Sequence, residues 1–194
     1  MAAKQNEDII QAWAESAQYW EKHYTTIRSM FAPVTDALVR AAQIAPGQRV
    51  LDVAGGAGEP SLTIAELVGP AGHVDYADPV CGMMTIAQRQ AVNRGLANMG
   101  FHCAPAEALP FGSDSFDAIT CRFGAMFFAD PIGGLEEMLR VLKPRGAMAL
   151  AVWRERDLNP FFAILADIVA KYIEAVPEDP NAPGAFRFAS PGSL

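Results

Sequence analysis

Long apolar runs and an excess of positive charge are both missing from this chain of 194 residues. No apolar run reaches about 18 residues, the length that a membrane-spanning helix needs, and the N-terminus lacks the apolar core of a signal peptide. Lysine and arginine number 15 against 22 aspartates and glutamates, which gives a net charge of −7 and a pI of about 4.9. Because no apolar run is long enough, we expect no membrane span. Because an acidic chain without a local basic patch repels phosphate backbones, we also expect no nucleic-acid partner.

Cysteine is scarce, with three residues, Cys81, Cys103 and Cys121. An odd number cannot all pair, and none of them belongs to a Cys-x-x-Cys motif. We interpret all three as reduced and largely buried, which is typical of a protein of the cytoplasm. Three thiols can also hold a soft metal or an arsenic atom, but the buried, inert state is the preferred interpretation and no metal site is predicted.

The composition that remains is typical of a folded protein. Hydrophobic residues make up 51% of the chain and charged residues 19%, which indicates a globular rather than a disordered protein. The length suits one α/β domain with a sizeable core.

The most informative stretch is Val-Leu-Asp-Val-Ala-Gly-Gly-Ala-Gly at residues 50–58. Its first four residues indicate a short β-strand, and Gly55, Gly56 and Gly58 indicate a tight turn. Pro60 then suits the first turn of a helix over residues 61–67. A strand, a glycine turn and a helix in this order let the backbone of an α/β protein approach a nucleotide-like ligand closely.

Two classes of ligand use such a turn, and charge separates them. A dinucleotide places its pyrophosphate after a Gly-x-Gly-x-x-Gly motif, but Ser61 stands here at the third glycine position. Asp52 and Glu59 flank the turn, and a like charge about 4 Å away costs roughly 4 kcal/mol at an effective dielectric constant near 20. A ligand with an ammonium and a sulfonium is therefore favoured, which describes S-adenosylmethionine. A structural turn without a ligand is the open alternative.

Asp78 follows the second predicted strand, residues 73–77, and lies 20 residues after Gly58. An acidic residue at about this spacing binds ribose hydroxyls in nucleotide-binding α/β folds, because a carboxylate offers two acceptor oxygens to a vicinal diol. The alternative role is a cap for the helix that starts at Val80. We favour ribose binding.

The chain divides into three predicted segments. Residues 1–45 carry two aromatic-rich helices that are not needed for the sheet, so we predict a helical lid. Residues 46–153 form the sheet domain, and residues 154–194 carry a further helix and a loosely ordered tail from Val176. Within these segments the predicted helices include 6–24, capped by Asn6, 25–44, broken or kinked by Pro33, and 159–173; the later strands are 97–103, 116–121 and, after a turn at 143–146, 147–153.

Three further stretches complete a recognisable order of motifs: Ala-Glu-Ala-Leu-Pro-Phe at 106–111, Ser-Phe-Asp-Ala at 115–118 and Leu-Arg-Val-Leu-Lys-Pro at 139–144. With the glycine stretch and Asp78, they resemble class I S-adenosylmethionine-dependent methyltransferases, and within them the methyltransferase type 11 or ubiquinone/menaquinone-biosynthesis-like group. The resemblance covers about residues 9–153. It implies an α/β, Rossmann-like, doubly wound and mainly parallel sheet of about five strands in the order 3-2-1-4-5, with helices on both faces.

The resemblance also implies which residues contact the cofactor. The turn and Asp52 would hold the methionine part, Asp78 the ribose, and Met83, Ala106 and Glu107 the adenine. Arg122 and Phe123 would border the cofactor and open towards the substrate. In chain order these residues are Asp52, Ala54, Gly55, Gly56, Gly58, Asp78, Pro79, Met83, Ala106, Glu107, Arg122 and Phe123.

Aromatic side chains indicate a small, partly apolar methyl acceptor, although they also suit simple packing on the sheet. They are Trp13, Trp20, Tyr24, Phe127 and Phe128. Aromatic faces attract a sulfonium cation as well. Because the sulfonium leaves as a neutral thioether, no leaving group needs a proton, and we assign no catalytic residue.

Two departures from the family pattern matter. Pro105 stands where an aspartate often accepts the adenine amino group, and the C-terminal hairpin of the family sheet is not found in this chain. The edge of strand five therefore needs cover, and a homodimer through that edge is one expected solution. These departures motivate an alternative function, a catalytically compromised cofactor-binding module that acts through dimerisation. A nicotinamide oxidoreductase is a third alternative, against which Asp52 and the missing third glycine argue.

Overall fold

A computed structural model describes residues 2–173 and 182–194, which form an open sheet of five parallel strands with helices on both faces. The strands are β1 (Arg49–Val53), β2 (His73–Asp78), β3 (Met99–Cys103), β4 (Phe116–Arg122) and β5 (Leu142–Ala151). The helices are α1 (Ala2–Lys22), α2 (Tyr24–Ala41), α3 (Ser61–Val68), α4 (Cys81–Asn93), α5 (Pro131–Val141) and α6 (Pro160–Val169). The strand order β3-β2-β1-β4-β5 confirms the predicted fold.

The central strand β1 shows why both faces of the sheet are covered. Leu51 packs in a cluster with Met138 of α5, whereas Val50 packs on the other face with Ile64 of α3. Because side chains alternate along a strand, one that is buried on both faces reads as a continuous apolar run. Asp52 is the exception in this run, and its side chain is fully buried.

The strand order places the ligand site. It changes direction between β1 and β4, and open parallel sheets bind ligands at the carboxyl ends of the strands beside such a point. The glycine turn leaves β1 there, and Asp78 ends β2. Helix α1 lies over this edge, where Trp13 and Ala17 pack in a cluster with Met83 of α4.

Several predicted boundaries are wrong. Residues 143–146 were predicted as a turn but lie within β5. Strand β5 already pairs with β4 at Leu142, and a register shift between Leu142 and Ala147 accommodates the residues in between. Helix α1 begins at Ala2, so Asn6 does not cap it, and α2 continues through Pro33 without a break. The last predicted helix is shorter, since α6 ends at Val169.

The interpretation of the cysteines is also wrong for two of the three. Cys81 and Cys103 are exposed and form a disulfide, and Cys121 alone is a buried free thiol. Parallel pairing explains the bond. Cys103 lies beside Asp78 in the register of β2 and β3, and Cys81 follows Asp78 by only three residues. Spacing along the sequence carries no signal for this pairing.

The C-terminal tail was expected to be loosely ordered from Val176, and residues 174–181 of it lie outside the described part of the chain. Residues 182–194 form turns, and the Arg187 guanidinium donates to the carbonyl of Phe128 at 2.7 Å. Among the described residues, no helix is long and apolar enough to cross a bilayer. The same residues contain no group of three or more potential ligands that could hold a metal ion.

Candidate active site

The glycine turn presents bare backbone to a pocket at the edge of the sheet. Ala54 and Gly56 adopt positive φ angles of 57° and 54°, and a Cβ on Gly56 would meet open space. Gly55 is the opposite case, because its Cβ would collide with the Tyr76 ring. The Tyr76 hydroxyl in turn donates to the carbonyl of Gly56 at 2.7 Å. Close packing against β2 therefore fixes the turn while one side of it faces the pocket.

Asp52 does not reach this pocket, contrary to the expectation from the sequence. Its carboxylate is fully buried beneath the turn, where it accepts hydrogen bonds from the hydroxyls of Thr120, at 2.7 Å, and Ser61. Burial raises the pKa of Asp52 to about 6, although the two hydroxyls and Arg122 act in the other direction. Gly58 is likewise absent from the pocket lining, so both residues support the turn from behind.

Asp78 does line the pocket. One carboxylate oxygen accepts the backbone amide of Gly56 at 2.9 Å, and the other accepts that of Val80 at 2.8 Å. Burial raises the pKa of Asp78 to about 6, against the opposing effect of these two amides. Because an ionised carboxylate has about four acceptor positions, the two used here leave capacity for a ligand diol. Asp78 thus fixes the turn and the backbone just before α4, but it does not cap this helix, because Val80 occupies the N-cap position. Ribose binding stays a prediction.

Glu59 connects the pocket to the N-terminal helices. Its carboxylate accepts hydrogen bonds from Tyr24, at 2.9 Å, and Thr63, and forms ion pairs with Arg28, at 3.1 Å, and Arg94. Burial and the negative charge of Glu59 raise the pKa of Tyr24, so its hydroxyl keeps its proton and acts as a donor. The negative charge of Glu59 is therefore already neutralised by these two arginines.

The charges that line the pocket differ from those predicted from the sequence. The pocket lining contains three carboxylates, of Glu59, Asp78 and Glu107, and two guanidiniums, of Arg28 and Arg122, which gives a formal net charge of −1. Glu107 accepts the backbone amide of Asp130 at 3.0 Å. The lining still favours a cation over a doubly charged anion, but Asp78 carries this preference and Asp52 does not.

The aromatic wall comes from α1, α2 and the segment after β4. Trp13 lies edge-on to Phe127 with ring centroids 5.2 Å apart, and Trp20 lies 5.9 Å from Trp13. Phe123, at a φ of 60°, stacks on Trp153 at 4.2 Å. All five predicted aromatic residues line the pocket, as do Pro79, Met83, Ala106, Arg122 and Phe123.

Sequence reasoning missed several lining residues. Arg28 and Phe31 follow Tyr24 at helical spacings of four and seven residues, so the periodicity of α2 was a usable signal. Pro105, seen only as a departure from the family pattern, also lines the pocket. Arg122 is held by Thr35 at 2.9 Å and by the carbonyl of Glu59, and these long-range contacts have no local signature.

The fold and the site together define a class of protein, the Rossmann-like methyltransferases. The chain belongs to the ubiE/COQ5 methyltransferase family, whose model matches residues 34–162. A solved neighbour with this fold is a SAM-dependent methyltransferase, and the cofactor of the family is S-adenosylmethionine.

Individual relatives agree with this assignment. The ubiquinone/menaquinone biosynthesis C-methyltransferase of Stenotrophomonas maltophilia is 43% identical over 109 residues, which cover 56% of this chain and 43% of the relative. The chain spans about half the length of the curated relatives it matches. A SAM-dependent methyltransferase from Aquifex aeolicus superposes with a TM-score of 0.60 at 25% identity and covers 71% of this chain and 77% of that one.

A second solved structure, the [4+2]-cyclase SpnF, matches with a TM-score of 0.57 at 30% identity, over 61% of this chain and 43% of that one. Since its name describes a cyclisation, the likeness of fold does not by itself identify the reaction.

Proposed function

We propose that this protein transfers a methyl group from S-adenosylmethionine to a small, partly apolar acceptor. The observation that carries the proposal is the position of Asp78. It is a buried carboxylate at the end of β2 that faces the same pocket as the open backbone of Gly56 and the aromatic wall. One cavity therefore offers a diol acceptor, a backbone cradle and an apolar compartment side by side.

The residues present fit the cofactor. Asp78 would accept the ribose hydroxyls, and Ala54, Gly55 and Gly56 would hold the methionine part through backbone groups. Met83, Ala106 and Glu107 would surround the adenine, beside Pro79 and Pro105. Asp52 and Gly58 would act indirectly, by supporting the turn.

When bound, the cofactor supplies a methyl group on a positively charged sulfur, which leaves as a neutral thioether. The task of the protein is then alignment of the acceptor with the methyl group and exclusion of water, and such positioning is worth roughly 7–11 kcal/mol in favourable cases. Trp13, Phe127 and Phe123 would form the walls that orient the acceptor. Tyr24 would not serve as a base, because its proton is held towards Glu59.

The names of the relatives suggest the acceptor class. They are C-methyltransferases of ubiquinone and menaquinone biosynthesis, and an aromatic wall suits a flat quinol ring. We therefore infer a quinone-related acceptor that is methylated on carbon. Incubation with methyl-labelled S-adenosylmethionine and a panel of quinols would test this, with the label located by NMR. Label on oxygen, or on no panel member, would contradict the inferred acceptor.

Binding of S-adenosylhomocysteine tests the cofactor site by calorimetry. Loss of hydrogen bonds to a charged group costs about 1.5–3 kcal/mol, so Asp78→Asn should weaken binding roughly 10- to 150-fold. Asp75→Asn is the matched control, because Asp75 is equally buried on the same strand but binds Arg49 and His102 outside the pocket. Wild-type protein that gives no heat with this ligand, or that binds NADH tightly, would refute the proposal.

Three related assignments remain predictions. They are the action of residues 1–45 as a lid, a homodimer through the β5 edge, and a location in the cytoplasm. The first is supported by the contacts of Tyr24 and Arg28 with Glu59. The alternative of a catalytically compromised binding module is not favoured by the family match, and methyl transfer to any acceptor would exclude it.

A further inference from the structure

Two cysteines meet beside the wall of the candidate pocket. Cys81 is the first residue of α4 and Cys103 the last of β3, and their disulfide joins Cα atoms that lie 5.2 Å apart. The proposed methyl transfer does not use this bond.

The bond joins two segments that both contribute to the pocket. Pro79 and Val80 precede Cys81, while Pro105 and Ala106 follow Cys103, and all four line the pocket. One backbone hydrogen bond already spans the gap, from the amide of Ala104 to the carbonyl of Asp78 at 3.1 Å. The disulfide is thus a second, covalent tie between the proposed ribose side and the proposed adenine side.

The pair is accessible, and the remaining cysteine is not. Cys81 and Cys103 are both exposed, so small thiols and disulfides can reach them. Cys121 is fully buried, and burial raises its pKa to about 12, which keeps it protonated and inert. Cys81 also begins a helix of 13 residues, where the helix dipole stabilises a thiolate.

We propose that Cys81 and Cys103 form a reversible redox site that tunes the affinity of the pocket for the adenosyl cofactor, an inference that rests on the proposed function. The oxidant is a low-molecular-weight disulfide, such as oxidised glutathione. The Cys81 thiolate attacks one of its sulfurs and releases the first thiol. The Cys103 thiolate then attacks the Cys81 sulfur of the mixed disulfide and releases the second. Two protein thiols thereby lose two electrons and two protons, and two small thiols form; excess thiol reverses the exchange.

Oxidation should strengthen cofactor binding. With the bond formed, the first turn of α4 and residues 104–106 hold a fixed separation, so less order has to be imposed when the ligand binds. After reduction only hydrogen bonds, such as that from the amide of Ala104 to the carbonyl of Asp78, remain across the gap. We expect the Kd for S-adenosylhomocysteine to rise about three- to tenfold on reduction.

The test uses the full chain after treatment with oxidised glutathione or with a phosphine reductant. Alkylation under denaturing conditions should find one thiol in the oxidised form and three in the reduced form. Calorimetry with S-adenosylhomocysteine should show the weaker binding of the reduced form. Cys121→Ser should keep this difference, whereas the double variant Cys81→Ser/Cys103→Ser should bind equally under both treatments with the affinity of the reduced wild type.

Two results would overturn the redox site while leaving the proposed function intact. One is three alkylated thiols after oxidation, and the other is equal affinity in the two forms of the wild type. Hydrogen exchange of residues 78–83 and 103–106 is an independent readout, and it should be slower in the oxidised form without any ligand. Absence of binding in every form would refute the cofactor assignment, and an unchanged exchange rate would then refute the restraint as well.

Discussion

Glu59→Gln should loosen the attachment of the N-terminal helices to the sheet domain. The side chain of Glu59 is 5% exposed; it forms ion pairs with Arg94 and Arg28 and accepts a hydrogen bond from the hydroxyl of Tyr24. Arg94 is itself only 14% exposed. Burial acts to lower the pKa of Arg94, but attraction to Glu59 and its other partners outweighs this and the pKa is raised. The variant removes the negative charge and keeps the size of the side chain.

The magnitude follows from how well each cation is shielded from water. Breaking a buried ion pair costs about 3–5 kcal/mol because it leaves the partner uncompensated. Arg94 retains Glu66 at 3.4 Å, which lowers this value. Arg28 is 46% exposed, so its pair with Glu59 adds little after solvent screening. We therefore expect Glu59→Gln to lower the free energy of unfolding by about 2–3 kcal/mol.

Urea denaturation at pH 7 measures this change, and Glu66→Gln is the control. Glu66 contacts the same two arginines, but its side chain is 45% exposed, so its loss should cost at most about 1 kcal/mol. Hydrogen exchange in α2 should also be faster in Glu59→Gln than in the control. Equal stability of the two variants would refute the argument from the buried pair of Glu59 and Arg94, and equal exchange in α2 would refute the argument that Glu59 fastens the N-terminal helices.

Three further predictions concern the turn and its two buried carboxylates. Burial raises the pKa of Asp52 to about 6, above its ordinary value of 3.8, so the native state binds the proton more tightly than the unfolded chain does. The protonated acid therefore stabilises the fold at low pH, and this stabilisation is lost as the pH rises through 6. Asp52→Asn, which mimics the acid, should therefore be up to about 3 kcal/mol more stable than wild type in urea at pH 8, with no gain near pH 4; a loss at pH 8 would contradict this. The pKa of Asp78 is also about 6, so the affinity for S-adenosylhomocysteine should fall as the pH drops from 7 to 5, and calorimetry that shows constant affinity would be the contrary result. Gly55→Ala should lower the thermal midpoint, because its Cβ meets the Tyr76 ring and overpacking costs about 1–3 kcal/mol, whereas Gly82→Ala in α4 meets no atom within 4 Å and should raise it; similar midpoints would show that the packing argument fails.

The strands and the pocket could be predicted because their signals are local. The apolar run at residues 50–53 and the glycines after it indicate a strand and a turn, and the position of Asp78 follows from the next strand. The two tryptophans of α1 share one face, which is why Trp13 and Trp20 both reach the pocket. Periodicity and turn chemistry act over a few residues and can be read from the sequence.

The predictions were wrong where contacts between residues far apart in the sequence determine the position or the partner of a side chain. Asp52 was assigned to the ligand because it adjoins the turn, but its partner Thr120 is 68 residues away and draws the carboxylate into the core. Cys81 and Cys103 are 22 residues apart and meet through the register of β2 and β3. Glu59 was correctly placed beside the turn, whereas its compensation by Arg94 depends on the packing of α3 and α4.

A crystal structure with S-adenosylhomocysteine would show whether the pocket binds the adenosyl cofactor as proposed. We expect the ribose hydroxyls to lie within hydrogen-bond distance of Asp78, with the sulfur over the turn at Gly56 and directed towards Trp13 and Phe127. A ligand bound elsewhere, or a ribose that makes no contact with Asp78, would contradict this expectation.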